Sequence, residues 1–257
     1  MVRASLPPPL PPGRGSLPLP DLLFDPHQSH AQENVNLESV DQMLENYQGE
    51  EAFETLSKME RTSDVEWRLA SAIYMLTNDI EDQKLRRKKL TEGFELAKSS
   101  FEKDPKNGEA AKQAAILVGS LSECATSTME QMKYGALFKK YLDHTIELEP
   151  EPDMVVLHMR GRFSFKVASL GWMERTMACK VLNTLPTCTY DDALKDLHAA
   201  EKIYPALDTL LFIGKAYLGK GDKEKAREYL RRVAEDEGCD AVDEENIEEA
   251  KKILTDL

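Results

Sequence analysis

From Asn36 to the C-terminus, apolar residues recur every three or four positions, the spacing that lays them along one face of an α-helix. Three short signatures mark where helices begin: Ser39 with Gln42, Ser63 with Glu66, and Ser127 with Glu130. In each, a hydroxyl and a carboxylate or amide three residues on can satisfy the orphan N–H groups of a first turn reciprocally, so the spacing predicts three capping boxes. Strand signals are nearly absent: no Asn-Gly turn joins two apolar runs, and alternating β-branched stretches are missing. Residues 1–35 read differently. The stretch Leu6-Pro7-Pro8-Pro9-Leu10-Pro11-Pro12, then Gly13, Gly15, Pro18 and Pro20, can neither continue a helix nor join a sheet ladder. A disordered proline-rich tail is expected there, with a polyproline segment offered to an SH3 or WW domain as the functional alternative.

The helical part repeats itself. Leu210, Ile213-Gly214, Ala216-Tyr217, Gly221-Asp222, Ala226 and Leu230 follow the tetratricopeptide spacing, in which two antiparallel helices form one unit. Gly214 and Ala226 let the helices approach, while Leu210, Tyr217 and Leu230 fill the space around that contact. The grid recurs upstream in weaker form. Gly161, in a helix beginning near Pro152, pairs with Ala193, Leu197 and Ala200 before Pro205, and an insertion from Gly171 to Thr189 separates the two. Gly119 pairs with a helix from Gln131 to Glu149; Trp67, Ala70 and Tyr74 pair with Leu90 to Lys103. Val40–Met59 and Asp243–Leu257 read as end caps. The expected fold is therefore all-α: a tetratricopeptide-like superhelix of antiparallel helix pairs over residues 36–257, with an inserted helix between the two helices of one repeat.

A net charge of −13 argues against a protein that coats nucleic acid, which needs a basic footprint, so no nucleic-acid partner is expected. The four cysteines are scattered, without a C-x-x-C pair or a histidine at ligand spacing, and read as free thiols in a reducing cytosol. No apolar run approaches the roughly 18–20 residues of a spanning helix, and the N-terminus lacks a secretory pattern, so a soluble cytoplasmic protein is expected. Phosphate loop, dinucleotide fingerprint, nucleophile elbow and H-E-x-x-H are all missing. No catalytic residue, cofactor or metal is expected, and the chain reads as a binding protein rather than an enzyme.

In a tetratricopeptide unit the first helix lines the concave surface. With the glycines as anchors, the groove should receive Val155, His158, Arg162, Phe165 and Lys166 from the third unit, Lys215 and Leu218 from the last, and Arg68 and Met75 from the first. Glu123 and Asp208 are the clear acidic exceptions, so a cationic concave face is expected, suited to steering anionic partners; ordinary solvated cations are the alternative. Lys84, Arg86, Arg87, Lys88 and Lys89 form a second basic cluster at the start of an early helix, where like charges oppose the macrodipole by a few tenths of a kcal/mol. The insertion, with Trp172, Met173, Met177, Val181 and Leu182, either fills core or walls a pocket at one end of the groove.

Several segments together resemble the regulator of microtubule dynamics protein family: Trp67-Arg68-Leu69-Ala70, Lys139-Lys140-Tyr141 leading to Ile146 through Pro150, Trp172 through Leu182, Pro186 through Leu194, and Ala200-Glu201 with Pro205. The resemblance covers residues 36–257. It implies association with microtubules and with the acidic tails of tubulin, association with mitotic regulators, and a place at spindles and spindle poles in chromosome segregation. Some relatives carry an N-terminal membrane anchor and bind or transfer phospholipids at organelle contacts. The proline-rich start here shows no anchor, so membrane contact is not expected, while phospholipid binding and a general adaptor role for acidic peptide tails stay open. Arg68, Arg162, Lys166 and Lys215, or the Lys84–Lys89 cluster, are the candidate contacts. Binding through them should weaken with salt, since screening acts over about 8 Å at physiological ionic strength.

Overall fold

The computed structural model describes residues 36–182 and 185–257, so the expectation for residues 1–35 lies outside the described part. Among the described residues the chain is helical throughout, without strands: α1 Leu37–Glu45, α2 Gly49–Ser57, α3 Ser63–Thr77, α4 Gln83–Lys103, α5 Gly108–Glu123, α6 Thr128–Leu148, α7 Met154–Ser169, α8 Trp172–Leu182, α9 Tyr190–Ile203, α10 Leu207–Lys220, α11 Lys223–Ala234 and α12 Ala241–Thr255.

Side-chain caps fix most of the starts. Asn36, Thr62, Asp82, Asn107, Asp153, Asp222 and Asp240 each accept a first-turn N–H. The three expected capping boxes are not formed as such. Helix α1 is capped by Asn36, not Ser39, and α3 by Thr62, one residue before Ser63. The Ser63 hydroxyl instead donates to the carbonyl of Ser100 at 3.0 Å, and the Ser100 hydroxyl to that of Ser63 at 2.8 Å, pinning α3 to α4. Ser127 does cap α6, but the Glu130 carboxylate turns back to the N–H of Thr126 rather than to Ser127. A complete box forms at Thr189 and Asp192, where aspartate takes the place of glutamate.

The helices pack as antiparallel pairs: α3 with α4, α5 with α6, α7 with α9, and α10 with α11. Helix α8 is the insertion, falling between the two members of the third pair in chain order and packing on α6. The N-terminal cap is two helices, α1 and α2, broken at Asn46–Gln48, where Tyr47 adopts a positive φ of 56°. Close approach within two pairs depends on missing side chains. A Cβ at Gly161 would stand 2.7 Å from Leu197 Cγ, and one at Gly214 2.8 Å from Leu230 Cγ, so each glycine is a socket for a fully buried leucine of the partner helix. Three apolar clusters run along the array, centred on α1–α3, α4–α7 and α9–α12. Stacked units bury faces that none could bury alone.

The array also curls back on itself. Arg86, at the start of α4, holds both oxygens of Glu245 on α12 at 2.7 and 2.9 Å, and Gln83 reaches the same carboxylate at 3.1 Å. The last helix thus touches the first repeat.

Candidate partner-binding groove

Helix α7 presents His158, Arg162 and Lys166 four residues apart, so they stack on one face. Helix α10 brings Asp208, Phe212 and Lys215 against them, and α5 contributes Glu123. Phe212 sits at the centre, buried. The Arg162 guanidinium lies 4.7 Å from its ring centroid, the Lys215 ammonium 4.9 Å and the Lys166 ammonium 5.8 Å, within the range of cation–π attraction. Phe165 packs edge-on to the same ring at 5.4 Å, and His158 at 6.2 Å. The structure therefore brings His158, Arg162, Phe165, Lys166 and Lys215 together around a phenyl ring that the sequence reading had not singled out.

The charges in this cluster are largely balanced from within. Arg162 is paired with Glu123, Lys215 donates to Glu249 of α12, and the His158 ring bridges to α10. Its Nδ1 lies 2.8 Å from the Thr209 hydroxyl, while Nε2 stands 3.0 Å from Asp208 Oδ2, close enough for an ionic contact but not aligned as a hydrogen bond. Asp208 is 37% exposed yet ringed by protein, so its charge feels both burial and its neighbours. Burial acts to raise its carboxyl, but the His158 ring and the Arg162 guanidinium outweigh it and hold the group well below the usual carboxylate range. Glu123 follows the same logic: burial is overcome by Arg162 and Lys166. Burial pushes the Tyr74 phenol up to about 12, with Asp208 adding to the shift. The cationic concave face expected from the sequence, with Glu123 and Asp208 as its acidic exceptions, is thus a lattice of alternating charge in which Glu123 and Glu249 are paired with Arg162 and Lys215. Lys166 differs from its neighbours: no carboxylate lies within ion-pair distance among the described residues, and burial, with Arg162 and Lys215, pushes its ammonium down against the opposing pull of the more distant Glu123.

Beside this cluster a cavity of about 520 Å³ opens between α5, α6, α7 and α8. Its lining combines apolar side chains, among them Met132, Phe138, Phe163, Leu170 and Ala178, with the charged Arg162, Lys166, Glu123 and Asp208. Gly135 of α6 lines it with no atom within 4 Å of where a Cβ would be. The insertion does wall the cavity, through Glu174 and Ala178. Trp172 does not: it stands at the first residue of α8, 81% exposed, beside Met173, which also faces outward.

The other expected contacts lie apart. Arg68 is held by Asp41 of α1 through two bonds of 2.6 and 2.8 Å, and its guanidinium rests 4.2 Å over the Trp67 ring. In the Lys84–Lys89 cluster, Arg86 is buried against Glu245 and the carbonyl of Ile80, Arg87 is paired with Glu130, and Lys88 and Lys89 share Glu92. Only Lys84 points to solvent without an ion pair among the described residues, so the run of basic residues is spread around α4 rather than forming one patch. Two groove residues escaped the sequence reading. Phe212 shares a face with Asp208 and Lys215, three to four residues away, which is a signal in hindsight. Glu249 reaches the groove only because α12 folds over it.

Among the described residues, no cluster of histidine, cysteine or acidic side chains could hold a metal ion, and no helix is long and apolar enough to cross a membrane. Residues 36–257 match a family model described as regulator of microtubule dynamics protein 1-3. Regulator of microtubule dynamics protein 1 of Caenorhabditis elegans is 32% identical, over 83% of this chain and 96% of its own length. Protein 3 of Xenopus laevis is 31% identical over 66% of the chain, and protein 2 of Macaca fascicularis 27% over 94%. The chain spans 36% and 60% of those two longer relatives. A crystal structure of a thermophilic tetratricopeptide protein from Thermus thermophilus is similar at a TM-score of 0.47 and 14% identity, covering 83% of this chain and 91% of that one. The fold assignment stands on the helix pairing itself and not on that likeness.

Proposed function

The chain belongs to the regulator of microtubule dynamics protein family, and we propose on that basis that it is a non-enzymatic, microtubule-associated binding protein. In this reading it regulates microtubule dynamics in spindle assembly and chromosome segregation, and works in the cytoplasm at spindles and spindle poles. The partner chemistry is the acidic tails of tubulin. The observation that supports this is the convergence of Arg162, Lys166 and Lys215 on Phe212, with Lys166 unpaired. An acidic segment entering the groove meets one uncommitted ammonium first and exchanges its own carboxylates for those of Glu123 and Glu249. Such exchange is favourable only if the partner offers several charges at once, and it weakens with salt.

Co-sedimentation with microtubules across a salt series tests the reading. Arg162→Glu combined with Lys166→Glu is expected to abolish pelleting at salt concentrations where the wild type pellets. Lys166→Glu alone, at a site without an ion pair to break, is expected to weaken it by roughly tenfold, about 1.4 kcal/mol, with helicity by circular dichroism unchanged. Normal pelleting of both variants overturns the groove assignment. Binding of acidic peptides without microtubule affinity points instead to a general adaptor for acidic tails.

The cavity favours a second reading, a phospholipid-binding or lipid-transfer module. Its apolar side chains suit acyl chains, and Arg162 and Lys166 suit an anionic head group. Native mass spectrometry of gently purified protein distinguishes the two. Under the lipid reading a phospholipid adduct is present in the wild type and lost in Gly135→Leu, whose side chain grows into the open space, while microtubule pelleting is unchanged. A wild type free of lipid counts against it.

A further inference from the structure

Helix α12 carries its acidic residues on two faces that meet different surroundings. Glu245 and Glu249, four residues apart, point along one face: Glu245 reaches Arg86 and Gln83 of the first repeat, and Glu249 reaches Lys215 in the groove. Glu244 and Glu248 point outward to solvent, where Glu248 finds only its neighbour Lys251 at 2.8 Å. The opposite side of α12 buries Ile247 and Ala250 against the last helix pair. One acidic helix therefore bridges the first and last repeats and supplies the carboxylates that neutralise their cations.

We infer that α12 is a built-in acidic competitor, an intramolecular stand-in that occupies the groove until an acidic partner displaces it. This rests on the reading of the groove as a receptor for acidic tails. Three features carry it. The two inward carboxylates are half exposed, at 51% and 45%, so their ion pairs exchange readily with water or with another anion. The cations they hold are far more enclosed, Arg86 at 7% and Lys215 at 19%, so those cations need an anion and keep one in either state. Arg86 also has a guanidinium nitrogen, Nη2, that is buried without any partner, a spare donor that Glu245 leaves unused.

Occupation by α12 has a linkage consequence. Every partner that needs Lys215 binds only the fraction of molecules in which Glu249 has yielded it, so its apparent affinity is lowered by that fraction. Weakening the inward contacts should therefore strengthen binding, although it removes no obstacle from the partner's own surface.

The test uses the full-length chain and two double variants of equal charge change. Glu245→Gln with Glu249→Gln removes the inward carboxylates; Glu244→Gln with Glu248→Gln removes the outward ones. With polyglutamate as the acidic probe, the inward pair is expected to bind about five- to tenfold tighter than the wild type, in the usual range of allosteric coupling. The outward pair, which shares the same gain in net charge, stays within about twofold. Hydrogen exchange of the wild type completes the test: saturating polyglutamate raises exchange at the amides of α12 and lowers it in α7 and α10. Equal tightening by both pairs, or unchanged exchange in α12 on binding, overturns the competitor. If neither the wild type nor any variant binds polyglutamate or microtubules, the groove reading itself falls and the competitor falls with it.

Discussion

Replacing Gly161 with alanine adds one methyl group at a point where the partner helix leaves no room. The new Cβ would stand 2.7 Å from Leu197 Cγ, 3.0 Å from its Cδ2 and 3.0 Å from its backbone N. Leu197 is fully buried and has nowhere to retreat, and a backbone atom cannot rotate away, so α7 and α9 must separate. Overpacking of this kind costs about 1–3 kcal/mol. Against it stands the gain from removing a glycine in mid-helix, roughly 0.5–1 kcal/mol. Gly135 provides the matched control, since it too lies inside a helix but faces open space. Gly135→Ala therefore keeps the helix gain without the steric loss. The two variants share the helix gain, so the difference between them isolates the steric part at about 1–3 kcal/mol, with Gly135→Ala above the wild type and Gly161→Ala below it. Urea titration followed by circular dichroism measures this through the shift of midpoint at constant slope. If Gly161→Ala rises in midpoint alongside Gly135→Ala, the socket account of these helix pairs is wrong.

Other consequences can be checked with the same preparations. Leu230→Ala, emptying the corresponding socket at Gly214, should lower stability by about 2–5 kcal/mol in the urea titration. Burial, aided by Asp240, raises the Asp243 carboxyl from 3.8 to about 6. The native state thus holds extra protons between those values, and stability from this group is present below pH 4 and lost as pH climbs to 6. Asp243→Asn, which keeps an acceptor for the Cys239 N–H, should remove that decline and stabilise the protein at neutral pH; an unchanged pH–stability profile refutes the assignment. Trp172→Ala should leave the midpoint within about 0.5 kcal/mol of the wild type while removing the more solvent-exposed of the two tryptophan emissions, as its 81% exposure dictates.

How much of this could be read from the sequence depends on whether a residue acts through its own helix or through another. Gly214 and Gly161 were legible because a helical glycine set against a leucine of the next helix has one steric meaning. The inserted helix was legible because it interrupts the repeat spacing. The cap at α3 shifted by one residue because Thr62 and Ser63 are both competent, and Ser100, thirty-seven positions on, claims the second hydroxyl. Thr189–Asp192 was missed because the side chain closing the box is the shorter acid. The charge of the groove was the largest departure. Its cations lie on first helices and could be counted, but Glu249 arrives from a terminal helix, and no local pattern tells that this helix crosses to Lys215. A pocket walled by the insertion could be read as one alternative, but its place beside Gly135 could not, since that open space is a property of four helices together.

The return of α12 to the first repeat changes what kind of folding unit this is. In an open solenoid each repeat meets only its neighbours, so ends fray independently and stability grows as a chain of nearest-neighbour terms. Here the Arg86–Glu245 contact joins residues 159 positions apart. Such a closure raises contact order, and with it the search time for the native state. It also couples the two ends, so that loss of the first repeat and loss of the last helix are no longer separate events. An array closed in this way should melt as one body, where an open array of the same helices would unravel from either tip.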